Sequence, residues 1–465
     1  MATSRKTTKV IVIGGGGTIG SSTALHLIRS GYTPSNITVL DTYPIPSAQS
    51  AGNDLNKIMG VRLRNKVDLQ LSLEARDMWK NDDLFKPFFH NNGRVSVVPP
   101  PFVVREVEVL EVGANVDQLD CESSPEGIAA LRKQYQSLVD AGVGLEKTTE
   151  WLDSEDEILA RVPLLERDQI KGWKAIWSKD GGWLAAAKAI NAIGETLRDQ
   201  GVTFGFGSAG SFKKPLFAKD GTTCIGVETV DGTKYYGDKV VLAAGAWSPA
   251  LVDLEDQCCS KAWVYAHMQL TPKEAAEYKD CPVVYNGDLG FFFEPNEHGI
   301  IKVCDEFPGL SRFKQHQPYG AASPKPVSVP RSHAKHPTDT YPNASEQTIR
   351  KAIAAFLPRF KEKELFNRAM CWCTDTADAA LLVCEHPRWK NFILATGDSG
   401  HSFKVLPNIG KHVVELIEGN LADDLAYAWR WRPGGDALKS RRAAPAKDLA
   451  DMSGWKHDRA DNARL

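Results

Sequence analysis

The sequence predicts a mixed fold, α/β plus α+β, in which a dinucleotide-binding domain of Rossmann-like topology is interleaved with a domain built on an antiparallel sheet. Three observations predict it: a strand, glycine loop, helix and strand at the N-terminus, hairpin-spaced strands through the middle, and two later apolar strands ending in glycine. Val10-Ile11-Val12-Ile13 is a continuous apolar run, the pattern of a strand covered on both faces. Four glycines follow. Ser21 to Ser30 then places Ala24, Leu25, Leu27 and Ile28 at helical spacing before the stop residue Gly31, and Ile37-Thr38-Val39-Leu40-Asp41 is a second strand. Amphipathic helices are expected over 68–80, 123–140 and 183–200, with a strand at 202–204. Cys224 to Val230, the turn Asp231-Gly232 and Thr233 to Tyr236 read as a hairpin, and Lys239 to Ala243 as the next strand. Further strands are expected between Val283 and Val303, then a long Pro-, Ser- and His-rich loop over 318–342.

Composition narrows the function. A length of 465 residues predicts two to three domains, and 42% hydrophobic with 25% charged residues is ordinary for a globular protein. Lys plus Arg number 56 against 58 Asp plus Glu, a formal charge of -2, so no basic footprint for nucleic acid or for an anionic membrane is present. Small-molecule partners are expected instead. No run of about 18 apolar residues occurs and Met1 to Lys6 leads straight into a strand, which predicts an intracellular protein. Nine cysteines, an odd number without metal-ligand spacing, suit buried thiols in a reducing compartment and argue for no metal site.

Gly15-Gly16-Gly17-Thr18-Ile19-Gly20 matches G-x-G-x-x-G, and Asp41 stands 21 residues beyond Gly20 at the end of the second strand. Gly15 permits the tight turn, Gly17 lets a pyrophosphate approach the helix N-terminus, Gly20 lets helix and strand pack, and Asp41 can bind ribose hydroxyls. FAD and NAD share this fingerprint. The strand ends at Ala243-Ala244-Gly245 and at Thr396-Gly397-Asp398-Ser399-Gly400 bring backbone close at two further places, which favours an extended FAD.

With these residues in view, the sequence resembles the FAD-dependent amine oxidases that include sarcosine oxidase, D-amino-acid oxidase and the amadoriases, and most of all the fungal fructosyl-peptide and fructosyl-amino-acid oxidases. The resemblance runs through Gly14 to Gly20, Ser50 to Lys57, Trp79 to Asp82, Gly290 to Pro295, Lys302 to Glu306, Cys371 to Thr376 and Gly400 to Lys404, nearly the whole chain. It implies oxidation of the C–N bond of a glycated amino acid or dipeptide, hydrolysis of the imine to glucosone and free amine, and reduction of O2 to H2O2. It implies a flavin-binding domain from 1–94, 171–255 and 371–465, and a substrate domain from 119–170 and 256–370. It places Ser50, Asn56, Lys57, Gly245, Gly400, Phe403 and Lys404 beside the cofactor, with Thr18 and Ile19 inside the glycine loop. Cys371 is its thioether link to the flavin, while Cys373 fits a buried structural thiol.

By the same resemblance Lys302, on the predicted strand Gly299 to Val303, is the catalytic cation for oxygen, with Asn56 and Lys57 lining the flavin side; a strand-edge lysine facing water is the alternative. Lys404 is implied to hold the substrate carboxylate and Glu294 the sugar hydroxyls or the amine, whereas Phe291-Phe292-Phe293 read as core. Arg62 could bind a second carboxylate bidentately or lie solvated on the surface, and Arg441 matches a substrate-binding arginine in an open register with Arg442. Other readings stay in play: an oxidase of sarcosine, pipecolate or saccharopine, a nicotinamide-dependent dehydrogenase, or a flavin protein without turnover. Ala463-Arg464-Leu465 follows the peroxisomal tripeptide pattern, implying an import receptor as partner and a peroxisomal location, otherwise a cytoplasmic one.

Residues 95–118 do not fit their surroundings. The segment is valine-rich and charge-alternating around Pro99-Pro100-Pro101, and the resemblance implies a nearly direct passage from Gly93-Arg94 to Leu119-Asp120-Cys121. Its 24 residues correspond to 72 nucleotides; Val95-Ser96, Ala114-Asn115 and Gln118 can be encoded with splice donor, branch-point and acceptor signals. A foreign insertion, either a translated intron or a surface loop, is expected there.

Overall fold

The structure, a computed structural model, describes residues 6–61, 65–98, 125–286, 289–305, 309–440 and 445–455. One sheet has six strands in the order Leu382–Glu385, Phe392–Thr396, Lys239–Leu242, Val10–Ile13, Ile37–Leu40 and Thr203–Gly205. All neighbours run parallel except the Leu382–Glu385 edge strand. Alternation explains why Val10–Ile13 is apolar throughout. Val10 and Val12 pack with the helices Thr18–Arg29, Ala186–Asp199 and Ile409–Ile417, whereas Ile11 and Ile13 pack with Phe212 and Val227 of a three-stranded meander on the other face.

A larger mixed sheet of ten strands is organised around Cys258–Gln269, which pairs antiparallel with Ile300–Cys304 and with Leu365–Thr376. Val283–Asn286, Gly290–Phe292, Arg94–Val98 and Lys174–Ser178 extend it. A further small sheet joins Lys57–Met59 and Phe89–His90 to Gly182–Leu184, and it anchors the loop that carries Asp54, Asn56 and Lys57. The interleaved fold is therefore as expected from sequence.

Several boundaries differ. Lys174–Ser178, placed by sequence with the flavin-binding half, belongs to the large sheet, and Leu365–Thr376 crosses the expected border at 371. Trp183 lies in a strand and the helix after it starts at Ala186. Lys325–Ser328 pairs with Phe313–His316 inside the expected loop. The expected insertion also needs correction at its start. Arg94–Val98 is a strand of the large sheet, with Val95 and Val97 facing inward at 0% and 2% exposure, so the segment begins in a strand with two core valines and not as a surface loop. Residues 99–118 lie outside the described residues.

Candidate active site

The turn after Val10–Ile13 is shaped by glycines for different reasons. The left-handed residue is Gly14, φ +77°, and not Gly15 as the motif suggests; a Cβ on Gly15 would sit 2.2 Å from Val39 Cγ1. At Gly20 a Cβ would lie 2.3 Å from Gly14 O, which fixes how tightly helix meets turn. Gly17 is less confined, its nearest contact being Ser50 Oγ at 3.3 Å, and it starts Thr18–Arg29 without a side-chain cap. The helix N–H groups thus point toward open space, an arrangement suited to a pyrophosphate. Asp41 lines the same space but already accepts bonds from Gly16 N at 3.0 Å, Tyr43 N at 3.1 Å and Ser47 Oγ at 2.7 Å. Burial pushes its carboxyl upward, and these donors oppose that.

In front of the turn lies a cavity of about 1200 Å³ including its mouth, walled by Gly17, Thr18, Ile19, Asp41, Ser50, Gly245, Asp398, Gly400 and Phe403 among others. That room is on the scale of a dinucleotide. A second lobe of about 970 Å³ shares Lys57, Cys373, Gly400 and Phe403 with the first and continues to Asp54, Asn56, Lys302, Cys371 and Lys404. A long cofactor with its reactive end at the junction fits this shape, and glycines at the approach leave room for it. Residues predicted from three distant stretches of sequence thus meet at one place.

The second lobe is built around a buried ion triad. Lys302 Nζ lies 2.5 Å from Asp54 Oδ2 and 3.3 Å from Asn56 O, and Lys57 Nζ lies 2.6 Å from the same Asp54 oxygen. Lys302 is 2% exposed, which excludes the water-facing alternative. Its ammonium also stands over the Tyr265 and Phe293 rings at 5.0 and 5.7 Å. Burial disfavours the Asp54 carboxylate, but the two lysines outweigh it and hold the carboxyl well below its usual range. Burial likewise opposes the Lys57 charge, and Asp54 with Cys371 holds it well above its usual value. Two lysines share one carboxylate, and Lys57 also faces the Cys371 sulfur at the cavity wall. The buried Asn56 Oδ1 has no hydrogen-bond partner among the described residues.

Cys371 Sγ lies 3.5 Å from Lys57 Nζ. The neighbouring Cys373 thiol and then Lys57 lower the Cys371 thiol, against the effect of burial. Lys404 is held at the wall by the turn Ser402–Val405, whose Lys404 carbonyl accepts Trp79 Nε1 at 2.7 Å.

Glu294 is not at the wall. Strand alternation turns Phe291 and Phe293 toward the cavity and Glu294 away, where Oε1 accepts from Trp183 Nε1 at 2.6 Å and Asn92 Nδ2 at 3.0 Å and Oε2 accepts from Asp280 N at 2.7 Å. The expected substrate contact is therefore a structural tie. Phe292 and Phe293 are core as expected, at 1% and 0% exposure, with Phe291 packed against Phe293, and Phe291 and Phe293 also border the lobe. Arg62, Arg441 and Ala463-Arg464-Leu465 lie outside the described residues. The sequence reading missed Asp54 as the centre of the triad, Arg94, whose guanidinium lies 4.5 Å from the Tyr285 ring centroid, and the aromatic walls Trp263, Tyr265 and Tyr285. An acid three residues before Lys57 was the available signal for Asp54.

Fold and cavity together define a flavoprotein oxidoreductase, and the chain belongs to the FAD dependent oxidoreductase family, whose model matches residues 9–416. It is similar to a fructosyl peptide oxidase from E. terrenum, with 72% identity, a TM-score of 0.92 and all of both chains covered. A fructosamine oxidase of Aspergillus fumigatus, Amadoriase II, in complex with FSA shares 30% identity at a TM-score of 0.81, over 97% of this chain and 98% of that one. The L-saccharopine oxidase of Schizosaccharomyces pombe is 31% identical over 95% of this chain and 98% of its own.

Proposed function

We propose that the protein oxidises fructosyl amino acids and fructosyl dipeptides at the C–N bond, yielding an imine that water hydrolyses to glucosone and the free amine. The observation that carries this reading is the lysine-flanked, aromatic-walled lobe joined to a dinucleotide cavity, in a chain 72% identical to a fructosyl peptide oxidase. FAD, when bound, supplies the two-electron acceptor for the C–N bond and passes those electrons to O2, giving H2O2. The chain's own residues orient and exclude. Phe291, Phe293, Trp263 and Tyr265 keep the lobe dry, so an uncharged secondary amine is held in place without any general base. Lys404 is assigned to the substrate carboxylate, and Lys302 to the negative charge that develops on oxygen.

Peroxide release from fructosyl-valine, fructosyl-valyl-histidine and ε-fructosyl-lysine, run beside sarcosine, pipecolate and saccharopine, tests the assignment. Turnover confined to the last three substrates would overturn it. The flavin is further assigned a thioether to Cys371, so acid precipitation should leave a yellow pellet that Cys371→Ser abolishes and Cys373→Ser does not. A peroxisomal location through Ala463-Arg464-Leu465 is part of the same proposal. A fluorescent fusion that keeps this C-terminus free should appear in peroxisomes and become diffuse when the tripeptide is removed.

A further inference from the structure

Lys404, assigned above to the substrate carboxylate, sits in the short turn Ser402–Val405. A lysine ammonium rides on a flexible four-carbon stem, so it is placed only as well as the backbone beneath it. That backbone is gripped from behind by two helices. Lys404 O accepts from Trp79 Nε1 at 2.7 Å, Leu406 O accepts from Ser22 Oγ at 2.6 Å, and Pro407 O lies 2.7 Å from His26 Nε2. Asn408 returns the contact, donating from Nδ2 to Leu71 O at 3.0 Å. Ser22 and His26 belong to Thr18–Arg29, and Leu71 and Trp79 to Lys66–Asn81. Among these ties the indole makes the one to Lys404 itself.

Helical spacing brings the tryptophan to the turn. Leu71, Ala75 and Trp79 recur every fourth residue and are buried on one face of Lys66–Asn81, with Trp79 at 0% exposure. Its ring meets Phe85 edge-on with centroids 5.3 Å apart and stacks on Phe403 at 6.2 Å and 27°. Phe403 walls both lobes and Lys404 the second, and the indole backs them both. Packing alone asks only for a large aromatic ring here. The N–H aimed at the Lys404 carbonyl is what packing does not require. We propose that Trp79 is a positioning residue for substrate selection: its indole N–H fixes the Lys404 peptide, and through it the point at which the ammonium meets the substrate carboxylate. This rests on the reading of Lys404 as the carboxylate residue and goes beyond it by naming what sets that residue's position. Loss of the N–H strips a buried carbonyl of its donor, so the turn shifts and the base of the lysine stem moves with it. The effect falls on carboxylate recognition more than on oxidation of substrate already bound.

The test uses flavin-loaded full-length protein and a pair of fructosyl thioethers, in which sulfur in place of the amine nitrogen removes the oxidisable bond. One ends in a carboxylate and the other in the corresponding amide. Calorimetry gives both dissociation constants, and their ratio isolates carboxylate recognition. Lys404→Met should cut the preference for the carboxylate by about 10- to 100-fold, the range of a lost charge-assisted hydrogen bond. Trp79→Phe, which keeps a ring and drops the donor, should cut it by about three- to tenfold with amide affinity unchanged. In the Lys404→Met background Trp79→Phe should add nothing, because its effect passes through the lysine. With fructosyl-valine the phenylalanine variant should raise KM more than it lowers kcat. Phe85→Leu loosens the packing around the same indole and should lower Tm without moving the ratio. Should Trp79→Phe fail to fold, 3-benzothienylalanine at position 79, which keeps the indole shape with sulfur for N–H, serves the same comparison. An unmoved ratio in the donor-free protein, an equal change in Phe85→Leu, or full additivity with Lys404→Met would overturn the inference alone. A ratio unmoved by Lys404→Met would overturn the carboxylate assignment and this inference with it, and failure of wild type to bind either thioether would overturn the substrate reading as well.

Discussion

At the nucleotide end of the cavity the wall is backbone: Gly14 to Gly20 and the open first turn of Thr18–Arg29 offer N–H groups and space, and Asp41 is already engaged by three donors of the protein itself. At the other end the wall is charge and aromatic surface, with Lys302 and Lys57 sharing Asp54 under Tyr265 and Phe293. The first end is closed to an added atom at Gly14, Gly15 and Gly20, and the second depends on charges that meet across the fold. Steric exclusion is local in sequence because a turn folds from neighbours, whereas the ion triad forms only when a loop near residue 55 meets a strand near residue 302.

The contrast breaks most visibly at Gly20. Gly20→Ala puts a carbon 2.3 Å from Gly14 O, a backbone atom that cannot step aside, so this variant should retain almost no flavin and lose stability by several kcal/mol, on the order of an overpacked core. Gly17→Ala meets nothing nearer than 3.3 Å and should keep its melting temperature within about 2 °C while binding flavin at least tenfold more weakly. The ratio of absorbance at 450 to 280 nm, beside thermal melts, separates the two. Equal flavin loss with equal destabilisation would mean that the glycines serve only the fold.

Lys302→Met tests the charged end. Removing one partner of a buried pair ordinarily costs about 3–5 kcal/mol, but Lys57 stays on Asp54 Oδ2, so the loss should fall below that range. The oxygen step should slow by roughly 10²–10³, while an artificial electron acceptor still supports turnover of the same amine. Stopped-flow traces of reduction and reoxidation read the two steps apart, and a parallel fall in both would remove Lys302 from the oxygen step.

What was legible in the sequence follows the same division. The strand, loop, helix and acid of the nucleotide end are contiguous, so spacing alone located them, although the left-handed residue proved to be Gly14 rather than Gly15. Lys302 was legible as a lysine in an apolar strand. Its partner was not, because nothing in Asn53-Asp54-Leu55-Asn56-Lys57 announces that one carboxylate serves two lysines. Glu294 misled for a related reason. An acid beside three phenylalanines does need a partner, but strand parity, set by the pairing of Gly290–Phe292 with Ile300–Cys304, turned it toward Trp183 and away from the cavity. The sheet that Lys174–Ser178 joins was not legible either, since long-range pairing leaves no local mark.

A smaller effect near neutral pH comes from buried histidines on both sides of this comparison. His26, in the helix of the nucleotide end, and His267, in the strand beside Lys302, are both lowered to about 4 by burial. An unfolded chain binds these protons near 6.5 and the folded one does not, so stability is complete above about 6.5 and falls as pH drops from there to about 4. Each contributes at most about 3 kcal/mol. Asp54 behaves as a depressed acid, and its stabilisation is lost only below about 4. Urea midpoints should therefore decline steadily between about pH 6.5 and 4.5, before the ion triad titrates. His386, also lowered to about 4 by burial, adds to this decline, and Asp398, raised to about 7 by burial, opposes it. The net fall is therefore that of about two imidazoles, and a flat profile would overturn this balance.

The mildest change predicted is the removal of residues 95–118. The segment's first residues form strand Arg94–Val98, so deletion would appear to cut into the sheet between Val283–Asn286 and Lys174–Ser178. The residues that would close the gap are Leu119-Asp120-Cys121-Glu122. Placed after Arg94, they put Leu119 and Cys121 where Val95 and Val97 now face the core, and Asp120 where Ser96 is half-buried. The apolar-polar alternation that specifies a strand is kept, and register is set by that alternation. The connection to the Pro125–Asp140 helix would shorten from about 26 residues to two, worth roughly 2 kcal/mol in loop-closure entropy. The deletion variant should then melt no lower than the full chain, keep its flavin and show comparable peroxide release from fructosyl-valine. Cutting only 99–118 should do worse, because Leu119 would follow Val98 and the added strand length would have to be absorbed before the helix. Transcript sequencing supplies the independent arm: messages joining the codons of Arg94 and Leu119 are expected if the segment is an intron. Uniform retention of 95–118, together with loss of fold or flavin on its deletion, would establish it as an evolved part of the sheet.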